Sequence, residues 1–207
     1  MIATAMAGAV RLLTGPGVEW RCAPCSGAQR IYFANHASHL DFVVIWSALP
    51  PSIRRLVRPV ADRHYWEQNA LRRELARHVF NAVLVDRGCA SSASPREAAR
   101  AATARICAGM GDRHSLILFP EGTRSLTGEV SAFKSGLYFL AQCRPEVELV
   151  PVHLWNLQRI LPKGEWLPLP MLSRVVFGEP LAVRRGEEKG AFLERARAAV
   201  TELGDAA

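Results

Sequence analysis

The stretch NHASHLDF, residues 35–42, sets His36 and His39 three apart and puts Asp41 two residues after the second. Residues of these types serve three kinds of chemistry: metal ligation, base catalysis with an orienting acid, or the capped start of a helix. A metal site would draw on Cys22-Ala-Pro-Cys25 upstream. Ten residues separate Cys25 from His36 and two separate the histidines, whereas finger-type zinc sites use about 12 and 3–5. Nothing else supplies a second ligand cluster, so no metal is expected. WRCAPC also lies in a Gly/Pro-rich lead-in rather than between a strand and a helix, and reads as two incidental thiols rather than a redox pair.

The base reading takes His36 with Asp41. On one continuous helix, residues five apart point about 140° away from each other. They meet if His36 sits in a strand-to-helix loop and Ser38 caps the helix, leaving Asp41 at its third position. The carboxylate then turns back, fixes the imidazole tautomer and leaves the other ring nitrogen as a base. S-H-L-D is also a capping-box-like pattern in which Asp41 only finishes a helix end. Asn35, bonding side chain to backbone, serves either arrangement. His39 falls on the helix and lacks the loop position a base needs.

Polar groups crowd a second stretch, FPEGTRS at 119–125. Gly122 permits a tight backbone, and Glu121, Thr123 and Arg124 surround it, so the loop can present N–H groups and a guanidinium to an anion. Lys134 is a further cation within reach of the same ligand. VLVDR at 83–87 places Asp86 and Arg87 just past a strand end, with Arg87 as a second clamp or as a surface partner of Asp86. There is no G-x-S-x-G elbow.

Short apolar runs alternate with helix-like stretches around these motifs. Strands are expected at 30–35, 55–61, 81–86, 115–119, 147–154 and 173–178. Helices are expected at 38–49, 64–80, 93–110 (with Ser94 as cap and Pro95 in the first position), 131–143 and 190–203. Such alternation predicts an α/β single-domain sandwich, a largely parallel mixed sheet flanked by helices. In sheets of that kind ligands collect at the carboxyl ends of strands, where the motifs lie.

The chain has 207 residues and a net charge of +7, and Lys occurs only at 134, 163 and 189, so the positive charge is nearly all arginine. An arginine-rich surface suits a phosphate-bearing partner. The arginines are dispersed and carry no nucleic-acid-binding motif, which argues against nucleic acid. Five cysteines, an odd number, read as free thiols in a reducing compartment. No run reaches the ~20 apolar residues of a membrane span. The opening MIATAMAGAVRLL could lie flat on a membrane or dock on the domain.

In the order NHASHLD, VLVDR, FPEGTRS, VPV (150–152), residues 30–155 resemble the glycerolipid acyltransferase family, and within it the 1-acyl-glycerol-3-phosphate acyltransferases. The resemblance makes His36 the general base and Asp41 its orienting acid. It assigns Glu121, Gly122, Thr123 and Arg124 to the glycerol phosphate and Arg87 to the substrate side, and links Pro151 to the acyl donor or the shape of the site. It implies transfer of a fatty acyl group to lysophosphatidic acid, and without an elbow or another persuasive serine or cysteine nucleophile direct transfer is simpler than a covalent acyl-enzyme. Acyl-CoA or acyl-carrier protein would be the co-substrate, with no cofactor. Backbone N–H groups near Gly122 are the candidates for oxyanion stabilisation. Asn81-Ala82 depart from the family's glycine-led second block. Residues 1–28 are expected to be a short amphipathic or loop lead-in that touches the membrane or docks on the domain, and 29–207 the acyltransferase domain, peripheral on a cytoplasmic membrane face. The alternatives are another lysophospholipid or hydroxylated acceptor, or a non-catalytic module binding anionic membranes.

Overall fold

A computed structural model describes residues 2–24, 27–38, 40–86, 95–125, 127–160 and 172–205. Its strands are β1 (Gly17–Trp20), β2 (Arg30–Ala34), β3 (Val57–Asp62), β4 (Val83–Val85), β5 (Ser115–Leu118), β6 (Glu148–Trp155) and β7 (Arg174–Phe177). They form a seven-stranded sheet in the order β1-β7-β6-β2-β5-β3-β4. Every pairing is parallel except β6 with β7. The α/β class with a mixed, largely parallel sheet is thus observed.

Parallel strands need crossover connections, and these put helices on both faces of the sheet. Tyr32, Ala34, Ile117, Val150, Val152 and Phe177 face one side. That side is covered by α1 (Ile2–Thr14) and α2 (Asp41–Ala48), with the short α3 (Pro51–Arg54) following. Ile31, Phe33, Leu116, Leu118 and Leu149 face the other. After α4 (Arg63–Glu67) and α5 (Ala70–Glu74), which runs into a π-helical turn at Leu75–Val79, come α6 (Pro95–Met110) and α7 (Gly136–Cys143). Those two and, beyond the one-turn α8 (Leu157–Ile160), the long α9 (Lys189–Asp205) cover the second face through Met110, Leu137, Leu140, Phe192, Ala196 and Val200. β2 and β5, the strands that lead into the two main motifs, are buried at every residue.

The helix expected over 64–80 is broken in two. Gln68 ends α4, and the Asn69 side chain accepts from Arg72 N as the cap of α5. The 131–143 helix begins only at Gly136, because residues 131–135 are drawn into loop contacts at the site. Ser94, the expected cap of α6, lies outside the described residues.

The lead-in contributes to the body: β1 adds an edge strand on β7, and α1 packs on α2 with Arg11 Nε donating to Ser47 O at 2.8 Å. Ala7, Val10 and Thr14 are buried by that packing, while Ile2, Leu12 and Leu13 stay exposed. β1 was not anticipated, since four residues after Pro16 are too few to show alternation.

Candidate active site

β2 ends at Ala34, and the chain turns sharply before α2. Asn35 completes the strand with its side chain: Nδ2 donates to Leu154 O at 3.0 Å and Oδ1 accepts from Leu154 N at 2.8 Å. This amide pair continues the β2–β6 ladder by one residue and fixes where the loop leaves the sheet.

The loop then folds around Asp41. Its Oδ2 accepts from Ala37 N at 2.7 Å and Ser38 N at 2.9 Å, and meets His36 Nδ1 at 2.7 Å. Asp41 is the first residue of α2, not the third. Ser38 does not cap the helix; its Oγ accepts from Leu40 N at 3.3 Å in a short local turn. A fully buried carboxylate survives here because donors converge on it and it sits at a helix N-terminus. The same oxygen thus meets the imidazole and two amides of the loop before α2, and no side chain caps the helix itself. Asp41 Oδ1 is buried and has no hydrogen-bond partner among the described residues. His39 lies outside the described residues.

The His36 ring stacks on Phe119 with centroids 4.2 Å apart and planes 18° apart. With a carboxylate at Nδ1, the proton resides there, and Nε2 is the ring nitrogen left for chemistry. Two hydrogen bonds join this loop to the one after β5: Ser125 N donates to His36 O at 2.7 Å, and His36 N donates to Glu121 Oε1 at 2.8 Å.

Glu121 is not aimed at a ligand. Its second oxygen accepts from Ser131 N at 3.1 Å, and the residue is 3% exposed. Burial pushes its carboxyl above the ordinary value of 4.5, against the pull of those two backbone donors. Both oxygens of Glu121, expected at the glycerol phosphate, are thus met by backbone donors of two other loops. Glu121→Gln, whose amide offers one acceptor oxygen where the carboxylate has two, should cost about 1–3 kcal/mol of unfolding free energy. It should also lower kcat with the acceptor KM unchanged, whereas a rise in KM would restore a ligand-binding role. The sign of the linkage is set by the raised value. This group's contribution is fully present below 4.5 and is lost as the pH rises through its folded value, a slope the neutral variant should lack.

Gly122 has φ +70°, and a Cβ there would lie 2.6 Å from Lys134 Nζ and 2.9 Å from Lys134 Cδ. Only glycine lets the lysine stem cross the turn so closely. The Gly122 N–H donates to Phe119 O at 3.1 Å, so this amide closes the turn instead of facing an oxyanion. Thr123 is exposed, and its hydroxyl donates to Arg124 O at 3.4 Å.

Arg124 differs from its neighbours. It lines a cleft of about 390 Å³ with His36, and its Nη1 is buried with no partner among the described residues. Such a donor is costly unless an anion meets it. Phe42, Val43, Val60, Ala61, Tyr65, Trp66 and Phe119 make the cleft partly apolar, and Asp62, His64 and Gln68 add polar groups.

Of the expected substrate-side residues that are described, Arg124 alone lines this cleft. Pro151 is buried in β6 opposite Phe33, where its carbonyl accepts from Gly178 N at 2.8 Å; it shapes the sheet rather than the cleft wall. Arg87 lies outside the described residues. The residue before it, Asp86, pairs with Arg63 at 3.0 Å and with Arg105. Trp166 also lies outside the described residues, while Trp155 is exposed away from the cleft. Phe42 and Phe119 were not singled out in the sequence; their adjacency to Asp41 and to the PEG turn was the available signal. Among the described residues, no three His, Cys, Asp or Glu gather into a metal-ligating group.

The acyltransferase family profile matches residues 24–155. A 1-acyl-sn-glycerol-3-phosphate acyltransferase of Limnanthes alba is 29% identical over 177 residues, covering 84% of this chain and 58% of the relative. A protein of the same name from Cocos nucifera is 28% identical, with 79% and 49% covered. The chain thus spans about half the length of these relatives. The crystal structure of the 1-acyl-sn-glycerophosphate acyltransferase PlsC of Thermotoga maritima has a similar fold, with TM-score 0.73 at 20% identity over 99% of this chain and 78% of that one.

Proposed function

Since the chain belongs to the acyltransferase family, which implies an acyl donor and an acceptor, we propose that it acylates the free hydroxyl of lysophosphatidic acid. The product is phosphatidic acid, and the donor is acyl-CoA or acyl-carrier protein. The observation that carries this reading is that the His36 imidazole and the Arg124 guanidinium, from loops after different strands, line one cleft.

In the proposed reaction, Nε2 takes the proton of the acceptor hydroxyl as its oxygen attacks the thioester carbonyl. The tetrahedral adduct collapses, the C–S bond breaks, and the imidazolium returns the proton to the leaving thiolate. Asp41, 2.7 Å from Nδ1, holds the ring and stabilises its cationic form. Base catalysis contributes about 10²–10⁴-fold. Positioning by the phosphate clamp supplies a further part.

Arg124→Ala should raise the acceptor KM by about ten-fold to a hundred-fold, the loss of one charge-assisted contact, with a smaller change in kcat. Steady-state kinetics against acceptor concentration read this directly, and an unchanged KM refutes the phosphate assignment.

Asp62, His64 and Gln68 on the cleft wall are polar groups beyond those a phosphate monoester needs. They favour a second reading, a lysophospholipid acceptor whose headgroup carries further hydrogen-bonding groups. Peripheral association with a cytoplasmic membrane face is proposed as well. It is supported by the exposed Ile2, Leu12 and Leu13 on α1; no described helix is long and apolar enough to cross a bilayer. Incubation with acyl-CoA and a panel of lysolipids, with products read by mass, tests the proposal. A 1,2-diacyl phosphate product supports it, a different diacyl product moves the assignment to that acceptor, and vesicle binding with neither acyl-CoA nor acyl-carrier protein consumed defeats the enzymatic reading.

A further inference from the structure

The imidazole on which the proposed reaction depends is tied by Asp41 at one ring atom. Oδ2 meets Nδ1 at 2.7 Å, and the same oxygen is shared with the Ala37 and Ser38 amides. A single hydrogen bond fixes a point, and the terminal torsion of a histidine is broad, so together they leave the plane of the ring free to tilt.

Phe119 stands where that tilt would be stopped. The β2–β5 register pairs Phe33 with Leu118, so Phe119 leaves β5 level with Ala34, two residues before His36. Its backbone is held by the turn behind it, Phe119 O accepting from Gly122 N at 3.1 Å. Its side chain packs against the apolar cluster under α2. From this seat the phenyl ring lies along the imidazole, with centroids 4.2 Å apart and planes 18° apart, and both residues line the cleft.

We propose that Phe119 is a positioning residue for His36: its phenyl face is the wall that sets the plane of the imidazole and so the direction of Nε2. An aliphatic side chain of similar bulk fills the space but offers no flat surface for the ring to lie on. A π face also favours the positive charge that the imidazole carries once it holds the acceptor's proton. A misplacement of about 1 Å at a reacting atom costs about a hundred-fold in rate. The effect on rate rests on the acyl-transfer reading, whereas the effect on the ring is measured without turnover.

The test compares Phe119→Leu and Phe119→Tyr in the full chain. Without substrate, proton NMR of the native protein should show a downfield Nδ1–H signal for His36 that exchanges slowly with water. Phe119→Leu should lose that signal while its thermal unfolding stays cooperative, and Phe119→Tyr, which keeps the flat face, should retain it. With acyl-CoA and lysophosphatidic acid, Phe119→Leu should lower kcat by about ten-fold to a hundred-fold with little change in the acceptor KM. Phe119→Tyr should recover most of that loss. A Phe119→Leu protein that keeps the slow Nδ1–H signal overturns the role, as does one that loses it only by unfolding. An equal loss of kcat in the two variants overturns it as well. If the native protein turns over neither donor nor acceptor, the acyl-transfer reading fails, and the Nδ1–H signals of the two variants still decide whether Phe119 holds the ring.

Discussion

His36→Ala is expected to reduce acyl transfer by about 10²–10⁴-fold while the protein remains folded. The ring touches the site more than the core, its side chain being 15% exposed and lying flat on Phe119. When it is removed, the Ala37 and Ser38 amides still bond to Asp41 Oδ2, and the backbone of residue 36 still bonds to Glu121 and Ser125. The loop therefore keeps its shape, and the loss is confined to the proton acceptor at Nε2. Release of free thiol from acyl-CoA in the presence of acceptor gives the rate, and far-UV circular dichroism reports the fold. Turnover at the native rate in a folded His36→Ala protein would falsify the mechanism.

Asp41→Asn separates what the carboxylate does for the ring from what it does for the loop. An asparagine oxygen placed where Oδ2 stands can still accept from Ala37 N and Ser38 N, so the turn into α2 should survive. A neutral amide no longer favours the imidazolium. A flip of its NH₂ toward Nδ1 would select the wrong tautomer, at the expense of the Ala37 and Ser38 bonds that share the same atom. The loss in kcat should again be about 10²–10⁴-fold. Asp41→Ala removes the acceptor altogether and strands the amides that converge on it, at a cost of about 1–3 kcal/mol for each buried group. That variant should lose stability as well as activity. Ring ¹⁵N shifts of His36 supply a readout that a purely structural role would leave alone: Nδ1–H with bare Nε2 in the native protein, a mixture in Asp41→Asn. If Asp41→Asn keeps kcat within two-fold and the native tautomer, the orienting role is wrong.

These two variants probe the part of the site that was legible beforehand. The H-x4-D spacing joins residues close enough in the chain for a single turn to bring them together, so their pairing depends on local geometry alone. The outcome also shows why the two readings of Asp41 could not be separated from the sequence. One oxygen accepts from the helix-entry amides and from Nδ1, and a pattern search sees only that an acidic residue begins a helix.

Glu121 shows the opposite case. Its place in a polar motif suggested a ligand contact, because a glutamate between Pro and Gly carries no mark of burial. Its partners, His36 N and Ser131 N, come from two other loops. Lys134 is similar: it lies across Gly122 because residues 131–135 leave the helical path to close over the turn, with Lys134 N donating to Pro120 O at 2.9 Å.

By itself the sequence determined the α/β class and the strand and helix pattern that delivers the motifs to strand ends, and it offered the His36–Asp41 couple as one of two readings of Asp41. All of these follow from periodicity and short-range spacing, which reside in neighbouring residues. Tertiary structure alone decided that β5 lies against β2, so that a loop 85 residues further on is hydrogen-bonded to the His36 backbone. It also decided which polar residues of that loop are consumed as struts and that Arg124 keeps a buried donor turned to the cleft. The physical reason is that strand order and loop-to-loop hydrogen bonds are set by which faces bury together, a property of the packed chain that no single segment carries.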